Sequence, residues 1–373
     1  MRILVVNWQD IKNPLAGGAE VHLHEVFSRI AKMGHEVVLF CSSFRGALPE
    51  EDLNGIRVIR AGGRYLFNFR FAWTYLSKFR NEKFDIVVDD MNKIPFFTPL
   101  YVRTPLYGVT HHLFGTSIFL ELNVPMASYV YLMEQAAVWL YRQRRVPFIV
   151  GSPSTEYELL ERRFDRSTVA LINYGVDHSV HTPHGEAKNP TPLIGYFGRL
   201  KKYKSVDHLL RALPGVLKEI PDLRLLIVGE GDDRPRLEAI TREWGLTKSV
   251  EFTGFVPEDQ KVRLLQQMWF KVTTSSKEGW GLTVVEANAC GTPVLASNVQ
   301  GLRDAVKNGE TGLLYEYGNV MDLQEKLRLL LKDRSLRERL SENAIRWSKN
   351  FDWDQAAKQT LALLERRVQQ VNN

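Results

Sequence analysis

The stretch Glu278–Ala287 reads EGWGLTVVEA and carries two carboxylates, Glu278 and Glu286, with seven residues between them. A short apolar run ending in KVTTSS (Lys271–Ser276) precedes it, and TVVEANACG (Thr283–Gly291) follows with a helical pattern closed by Gly291. Gly279 and Gly281 fall at the strand-to-helix turn, where lack of a side chain lets backbone come close to a ligand. A helix starting near Leu282 and Thr283 presents unpaired N–H groups and the positive end of its dipole, which suits phosphate. A carboxylate repels phosphate but accepts hydrogen bonds from sugar hydroxyls. The stretch therefore fits a ligand with both groups, such as a nucleotide sugar. Two other readings stand beside it: a structural turn with two solvated glutamates, or an acid–nucleophile carboxylate pair as in glycoside hydrolases.

Three further stretches bear chemistry. In YFGRLKKYKS (Tyr196–Ser205) a strand ends at Gly198, and Arg199 and Lys204 follow at the opening of a helix. Two cations at a strand's carboxyl end suit a diphosphate, with Arg199 offering paired donors. The alternative is a solvated basic loop. In NPLAGGAEVHLHE (Asn13–Glu25), Gly17 and Gly18 precede a helix, where backbone amides can meet phosphate. The spacing is not the G-x-G-x-x-G dinucleotide fingerprint, which disfavours a dehydrogenase. In VTHH (Val109–His112), adjacent strand positions point oppositely, so one of His111 and His112 is expected to reach a ligand. The alternative reading is a structural histidine.

These groups need a scaffold of strand ends. The first half alternates short apolar runs with helical patterns: RILVVN, HEVVLFCS, IRVIRA, FDIVVDD, PLYGVTHH and FIVGS, with helices over Ala19–Gly34 and Met126–Arg145. After a polar, proline-rich passage, HTPHGEAKNPTP (His181–Pro192), the alternation restarts, and from Asp322 onward the pattern is helical. This predicts two α/β domains with parallel sheets, facing across a cleft where ligands bind. The expected divisions are residues 1–182, 183–350 and a final helix over 351–373.

Composition excludes several classes. The chain has 373 residues, 44% hydrophobic and 25% charged, as soluble globular proteins have. No run of about 18 apolar residues predicts a spanning helix. The N-terminus lacks a small-residue cleavage site and reads as a buried strand. Two cysteines, Cys41 and Cys290, argue for a cytoplasmic setting without a disulfide framework. The net charge of +6 comes without zinc-finger spacing or a long basic run, so no nucleic-acid partner is expected.

Together the motifs resemble the retaining family 4 glycosyltransferases of the GT-B fold. Gly17-Gly18, GRLKKYK (Gly198–Lys204), TGFV (Thr253–Val256), EGWGLTVVEA and INYGVD (Ile172–Asp177) carry the resemblance, which spans most of the chain. It implies that Arg199 and Lys204 hold the donor diphosphate, Glu278 the transferred sugar and Glu286 the ribose. It further implies that Leu282 and Thr283 offer backbone to phosphate and ribose, within a donor loop that includes Gly279, Trp280 and Gly281. Phe255 and Val256 would frame the base, Gly18 would touch the diphosphate on closure, and one histidine would face the sugar, with His111 favoured by its position in the strand. The last helix would cross back onto the first domain. Two departures stand out: Ser205 where the family has glycine, and tyrosine in INYGVD where proline is usual.

The expected activity is retaining transfer of a hexose-type sugar from a UDP- or GDP-linked donor to a hydroxyl of a glycan, lipid-linked or small-molecule acceptor. No cofactor or metal is expected, because Arg199 and Lys204 can supply positive charge and no D-x-D motif sits at a matching position. The alternatives are a nucleotide-sugar epimerase or sugar phosphorylase on the same fold, or a non-catalytic nucleotide-sugar binder. The stretch Gly55–Arg80 carries six cations and no acid among aromatics, and Ala136–Arg145 adds three cations with Trp139 and Tyr141. These read either as core aromatics with a solvated basic face, or as a peripheral contact with an anionic membrane surface at its inner face.

Overall fold

The structure, a computed structural model, describes residues 1–63, 65–91, 94–183 and 188–372. The chain divides into two compact units, Met1–Gly175 with Trp353–Asn373, and Val176–Asp352. Unit 1 runs β1 (Arg2–Val6), α1 (Gly18–Lys32), β2 (Glu36–Cys41), β3 (Glu50–Leu53), β4 (Ile56–Arg60), α2 (Phe67–Ser77), β5 (Ile86–Met91), β6 (Leu106–Thr110), α3 (Val124–Gln143), β7 (Phe148–Val150), α4 (Pro153–Glu161) and β8 (Val169–Leu171). Its sheet has the order β3-β4-β2-β1-β5-β6-β7-β8, parallel except for the β3–β4 hairpin at one edge. Runs such as ILVV and FIV are buried on both sides, as strands between two helical layers must be. In β5 the alternation places Asp89 under Tyr141 and Thr98, and Asp90 on the opposite face against His111.

Unit 2 runs β9 (Leu193–Phe197), α5 (Val206–Leu217), β10 (Arg224–Val228), α6 (Arg234–Glu243), β11 (Val250–Gly254), α7 (Glu258–Gln267), β12 (Phe270–Thr273), α8 (Leu282–Ala289), β13 (Val294–Ser297), α9 (Leu302–Ala305), β14 (Gly312–Tyr315), α10 (Val320–Lys332) and α11 (Arg334–Ser348). Its sheet is fully parallel, in the order β11-β10-β9-β12-β13-β14. The final helix, α12 (Trp353–Asn372), belongs to unit 1 and lies along α1, where Arg29 pairs with Asp354 at 2.6 Å. Each sheet reverses its strand order beside its first strand, between β1 and β5 in unit 1 and between β9 and β12 in unit 2. Such switch points open a crevice at the strands' carboxyl ends.

Several boundaries differ from those the sequence suggests. The first division falls after Gly175, because the chain beyond it is pinned to unit 2. His178 Nε2 lies 3.1 Å from the Phe351 carbonyl, Gln266 donates to the Thr182 carbonyl at 2.8 Å, and His181 meets Glu258 at 3.0 Å. The middle of the proline-rich passage, residues 184–187, lies outside the described residues. Helix α3 starts at Val124 because the Asn123 side chain caps it, accepting from Met126 N at 3.1 Å, with a proline in its first turn. The aromatic-basic stretch holds a helix, α2, whose Phe67, Phe71 and Tyr75 recur every four residues into the core.

One core position breaks the apolar rule. Lys271 in β12 is fully buried, and among the described residues its Nζ bonds to the nearby Thr273 hydroxyl. Burial pushes this amine down to about 7, partly offset by the nearby charges of Glu278 and Glu286. The unfolded chain binds the proton up to the ordinary lysine range, so between that range and about 7 folding must give it up. Lys271→Met is therefore expected to raise the melting temperature at neutral pH, with the gain shrinking as pH rises toward the ordinary lysine pKa. Thermal unfolding of both proteins across that window checks it.

Candidate active site

In unit 2 the site grows from three adjacent strand ends. Arg199 and Lys204 follow β9, Glu278 follows β12, and Gln300 and Gly301 follow β13. The loops are stitched together by backbone. Ser276 N donates to Tyr203 O at 2.8 Å, the Thr274 hydroxyl to Lys204 O at 2.8 Å, and the Ser297 hydroxyl to Ser275 O at 2.6 Å. Gly301 has φ +76°, and a Cβ there would lie 2.3 Å from the Glu278 carbonyl oxygen, so only glycine lets the two loops touch.

The Lys204 ammonium lies 2.5 Å from Glu278 Oε1, which also accepts from the Ser275 hydroxyl at 2.6 Å. Both side chains are largely buried. Burial opposes charge on each, but the pairing outweighs it. Glu278 is held below the usual carboxylate range, and Lys204 above the usual lysine range. Ser205 replaces the family's glycine and adopts that residue's geometry, φ +49°, steadied by a 3.0 Å bond to the Tyr317 hydroxyl. The departure noted in the sequence thus leaves Lys204 in place. Arg199 is exposed, with its carbonyl accepting from Tyr196 at 3.1 Å.

Gly281, at φ +99°, caps α8, and Leu282 and Thr283 open it. Trp280 turns inward at 3% exposure, edge-on to Phe351 with centroids 5.0 Å apart, so its indole belongs to the core. Phe255, beyond β11, is 82% exposed, whereas Val256 is buried. Glu286, in α8, pairs with Lys261 of α7 at 2.7 Å. Lys261 also reaches Glu258 at 3.1 Å, and Glu258 meets His181 at 3.0 Å. His181, chiefly, and then Lys261 pull Glu258 down to about 2 against its burial. Donor atoms of His181, Glu258 and Glu286 lie within 4.8 Å of one another, a geometry suited to a cation, and the Lys261 ammonium supplies that charge from the chain itself. None of His181, Glu258 and Lys261 stood out in the sequence. His181 lies in an apparent linker, and Lys261 reads as a solvated helical lysine.

In unit 1 Gly18 begins α1, but the Gly17 amide is already taken by the Glu20 carboxylate at 2.6 Å, within the helix's own cap. Both histidines fall just beyond β6, which ends at Thr110, so strand alternation does not set their directions. His111 is buried, with Nε2 3.0 Å from Asp90 and Nδ1 bonded to the Tyr174 hydroxyl. Burial works against its charge, yet Asp90 and then Glu20 hold its pKa above the ordinary histidine value. His22, which the sequence did not single out, stacks on Tyr174 at 4.2 Å and meets His111 edge-on at 5.3 Å. Burial, with the neighbouring His111, drives its pKa well down. His112 is half-buried, 4.5 Å from the Phe114 ring. The sequence favours His111 as the ligand-facing ring, but both of its nitrogens are engaged inside the unit.

The two parallel-sheet α/β units have the GT-B fold of solved glycosyltransferases. Residues 16–204 match Glycosyltransferase Family 4 and residues 181–347 match glycosyl transferases group 1; the chain belongs to family 4. A glycogen synthase from Mycobacterium tuberculosis is 28% identical, with 96% of this chain and 93% of that protein covered. Among solved structures, the sucrose-phosphate synthase of Thermosynechococcus elongatus superposes with a TM-score of 0.83 at 22% identity, covering 98% of each chain. Anabaena Alr3699/HepE, in complex with UDP and glucose, gives 0.76 at 19% identity, covering 98% of this chain and 99% of that one.

The ion pair has a stability signature. Removing one partner of a buried pair costs about 3–5 kcal/mol, and removing both costs far less. Glu278→Met alone should therefore destabilise strongly in urea unfolding, and Lys204→Met/Glu278→Met should recover most of the loss. Glu278's share is present above the unfolded carboxylate pKa and fades as pH falls through its depressed folded value. Lys204's share is present below the unfolded lysine pKa and fades as pH rises through its raised one. The coupling should be flat near neutrality and decline toward both extremes.

Proposed function

We propose that the protein transfers a hexose-type sugar from a UDP- or GDP-linked donor to a hydroxyl of a glycan, lipid-linked or small-molecule acceptor. On this reading the anomeric configuration is retained and fixed cations take the place of a metal. The observation that carries it is the buried Lys204–Glu278 pair at the switch point of unit 2. Lys204 and Arg199 would bind the diphosphate and stabilise the departing nucleoside diphosphate, whose charge develops as the glycosidic bond breaks. Glu278 would accept from the sugar's hydroxyls, and Glu286, braced by Lys261, from the ribose. Amides of Gly281, Leu282 and Thr283 would meet phosphate and ribose, and Phe255 and Val256 would frame the base. The relatives support a nucleotide-sugar donor, one of them having been crystallised with UDP and glucose.

The site's electrostatics argue against hydrolysis by a carboxylate pair. A general acid needs a proton at working pH, and Glu278 is held below the usual range by Lys204 and Ser275. Glu286 is committed to Lys261. In unit 1 the proposal extends to Gly18 at the diphosphate and to one histidine at the sugar. Since both nitrogens of His111 are engaged, His111→Ala is expected to disturb folding as well as transfer. His112→Ala tests the half-buried ring of the pair.

A thermal-shift screen of uridine, guanosine and adenosine diphosphates and their sugars tests the donor class, because a ligand that binds only the folded state raises its stability. One nucleotide should shift melting upward; no response from any would count heavily against transferase function. With the donor known, Lys204→Ala is expected to lower kcat by about 100-fold or more in a product assay run at a temperature where circular dichroism shows the destabilised variant still folded. Product formed without any acceptor would favour the epimerase or phosphorylase reading instead.

A further inference from the structure

Helices α2 and α3 lie on the same face of the unit 1 sheet. Right-handed crossovers put them there, and Phe67, Phe71 and Tyr75 of α2 share one core cluster with Ala137, Val138 and Tyr141 of α3. Their outward faces are apolar too. On α2 and the residue before it, Leu66, Phe69, Trp73 and Leu76 form a helical stripe, with Phe69 67% and Trp73 60% exposed. On α3, Tyr129, Leu132 and Trp139 do the same, with Leu132 60% exposed. Leu100, also exposed, stands on the turn between the helices. Neighbouring Tyr101 packs on Phe71 and Tyr75, and Thr98 bonds to Tyr141 at 3.1 Å. A helix apolar on two faces needs a second cover, and scattered exposure does not follow helical spacing on two neighbouring elements.

Charge identifies the cover. Arg70 lies over the Trp73 ring at 4.8 Å. Exposed Arg80, Arg103, Arg144 and Arg145 follow the helices or precede β5, β6 and β7, lining one edge of this layer. Helix α2 has no acid, and the acid of α3, Glu134, is buried and accepts from the Phe114 and Gly115 amides. Of the six cations in Gly55–Arg80, Arg57 and Arg60 are neutralised in β4 by Glu50, Asp10 and Glu51, and Arg64 lies outside the described residues. Aromatic and leucine side chains beside an arginine-rich edge match the interface of an anionic bilayer. A second copy would bring the same basic edges together, at an electrostatic cost. No described helix is long and apolar enough to cross a membrane.

We propose that the outer surface of α2 and α3 docks unit 1 onto an anionic membrane, with Trp73 and Trp139 entering the headgroup region. This surface is separate from the residues proposed for donor binding, so the inference stands apart from the nucleotide reading. The test is sedimentation of the full chain, without nucleotide, with phosphatidylcholine vesicles with and without phosphatidylglycerol. Binding should require phosphatidylglycerol and weaken with salt. Trp73→Ser/Trp139→Ser should weaken it about tenfold or more, and Trp244→Ser, on an exposed tryptophan of unit 2, should not. Nucleotide-induced thermal shifts should be equal in all three. Wild-type protein that stays in the supernatant at low salt would overturn the proposal, as would equal sedimentation of the double variant. So would a dimer in ultracentrifugation that the double substitution dissolves while vesicles capture nothing.

Discussion

Two opposite charges removed from water and held 2.5 Å apart are the constraint around which unit 2 is arranged. Taking either ion inside alone would cost several kcal/mol, so each needs the other, and the pair needs a frame that does not relax. Adjacent parallel strands supply it. Strand β9 delivers Lys204 and β12 delivers Glu278. The next strand, β13, contributes the Ser297 bond and the Gly301 contact that fix the Glu278 loop. Move one strand in the order and the pair separates. The same reversal beside β9 opens a crevice at the strands' carboxyl ends, and α8 begins in the loop after β12. A preformed arrangement of this kind needs little reorganisation when a diphosphate arrives, which is where electrostatic catalysis has its advantage.

Unit 1 follows the same architectural rule with different chemistry. At its switch point Asp90 of β5 orients His111 beyond β6, while Glu20 and His22 of α1 pack beside them. The cluster mixes a histidine whose pKa Asp90 raises against its burial with one whose pKa burial drives down, and burial holds the Glu20 carboxyl above the ordinary range. Such interiors fix side-chain positions strongly, because a buried polar group that loses its partner has no water to replace it.

The fold was legible wherever a local pattern repeats. Buried apolar runs and the helices between them follow from periodicity, and the Glu278–Glu286 stretch announced its turn through its glycines. What escaped was set by tertiary partners. For α2 the sequence leaves core and surface readings side by side, because aromatics look alike whether they face a sheet or solvent; only packing separates Phe71 from Phe69. His181 anchors its segment through Glu258, a residue of α7 far along the chain, so a linker by composition is part of unit 2. Trp280 belonged to the donor loop by position, yet its ring is claimed by Phe351. Lys271 passed as one residue of a strand, because its burial is set by the layers packed on β12 and not by spacing.

The central claim is a division of labour: Lys204 for the diphosphate, Glu278 for the sugar. Calorimetric titration of the matching nucleoside diphosphate and its sugar conjugate into the Lys204→Met and Glu278→Gln proteins separates the two roles. The account predicts that Lys204→Met weakens both ligands, whereas Glu278→Gln spares the nucleoside diphosphate and weakens the conjugate. Unchanged nucleoside diphosphate affinity in a folded Lys204→Met protein would contradict it.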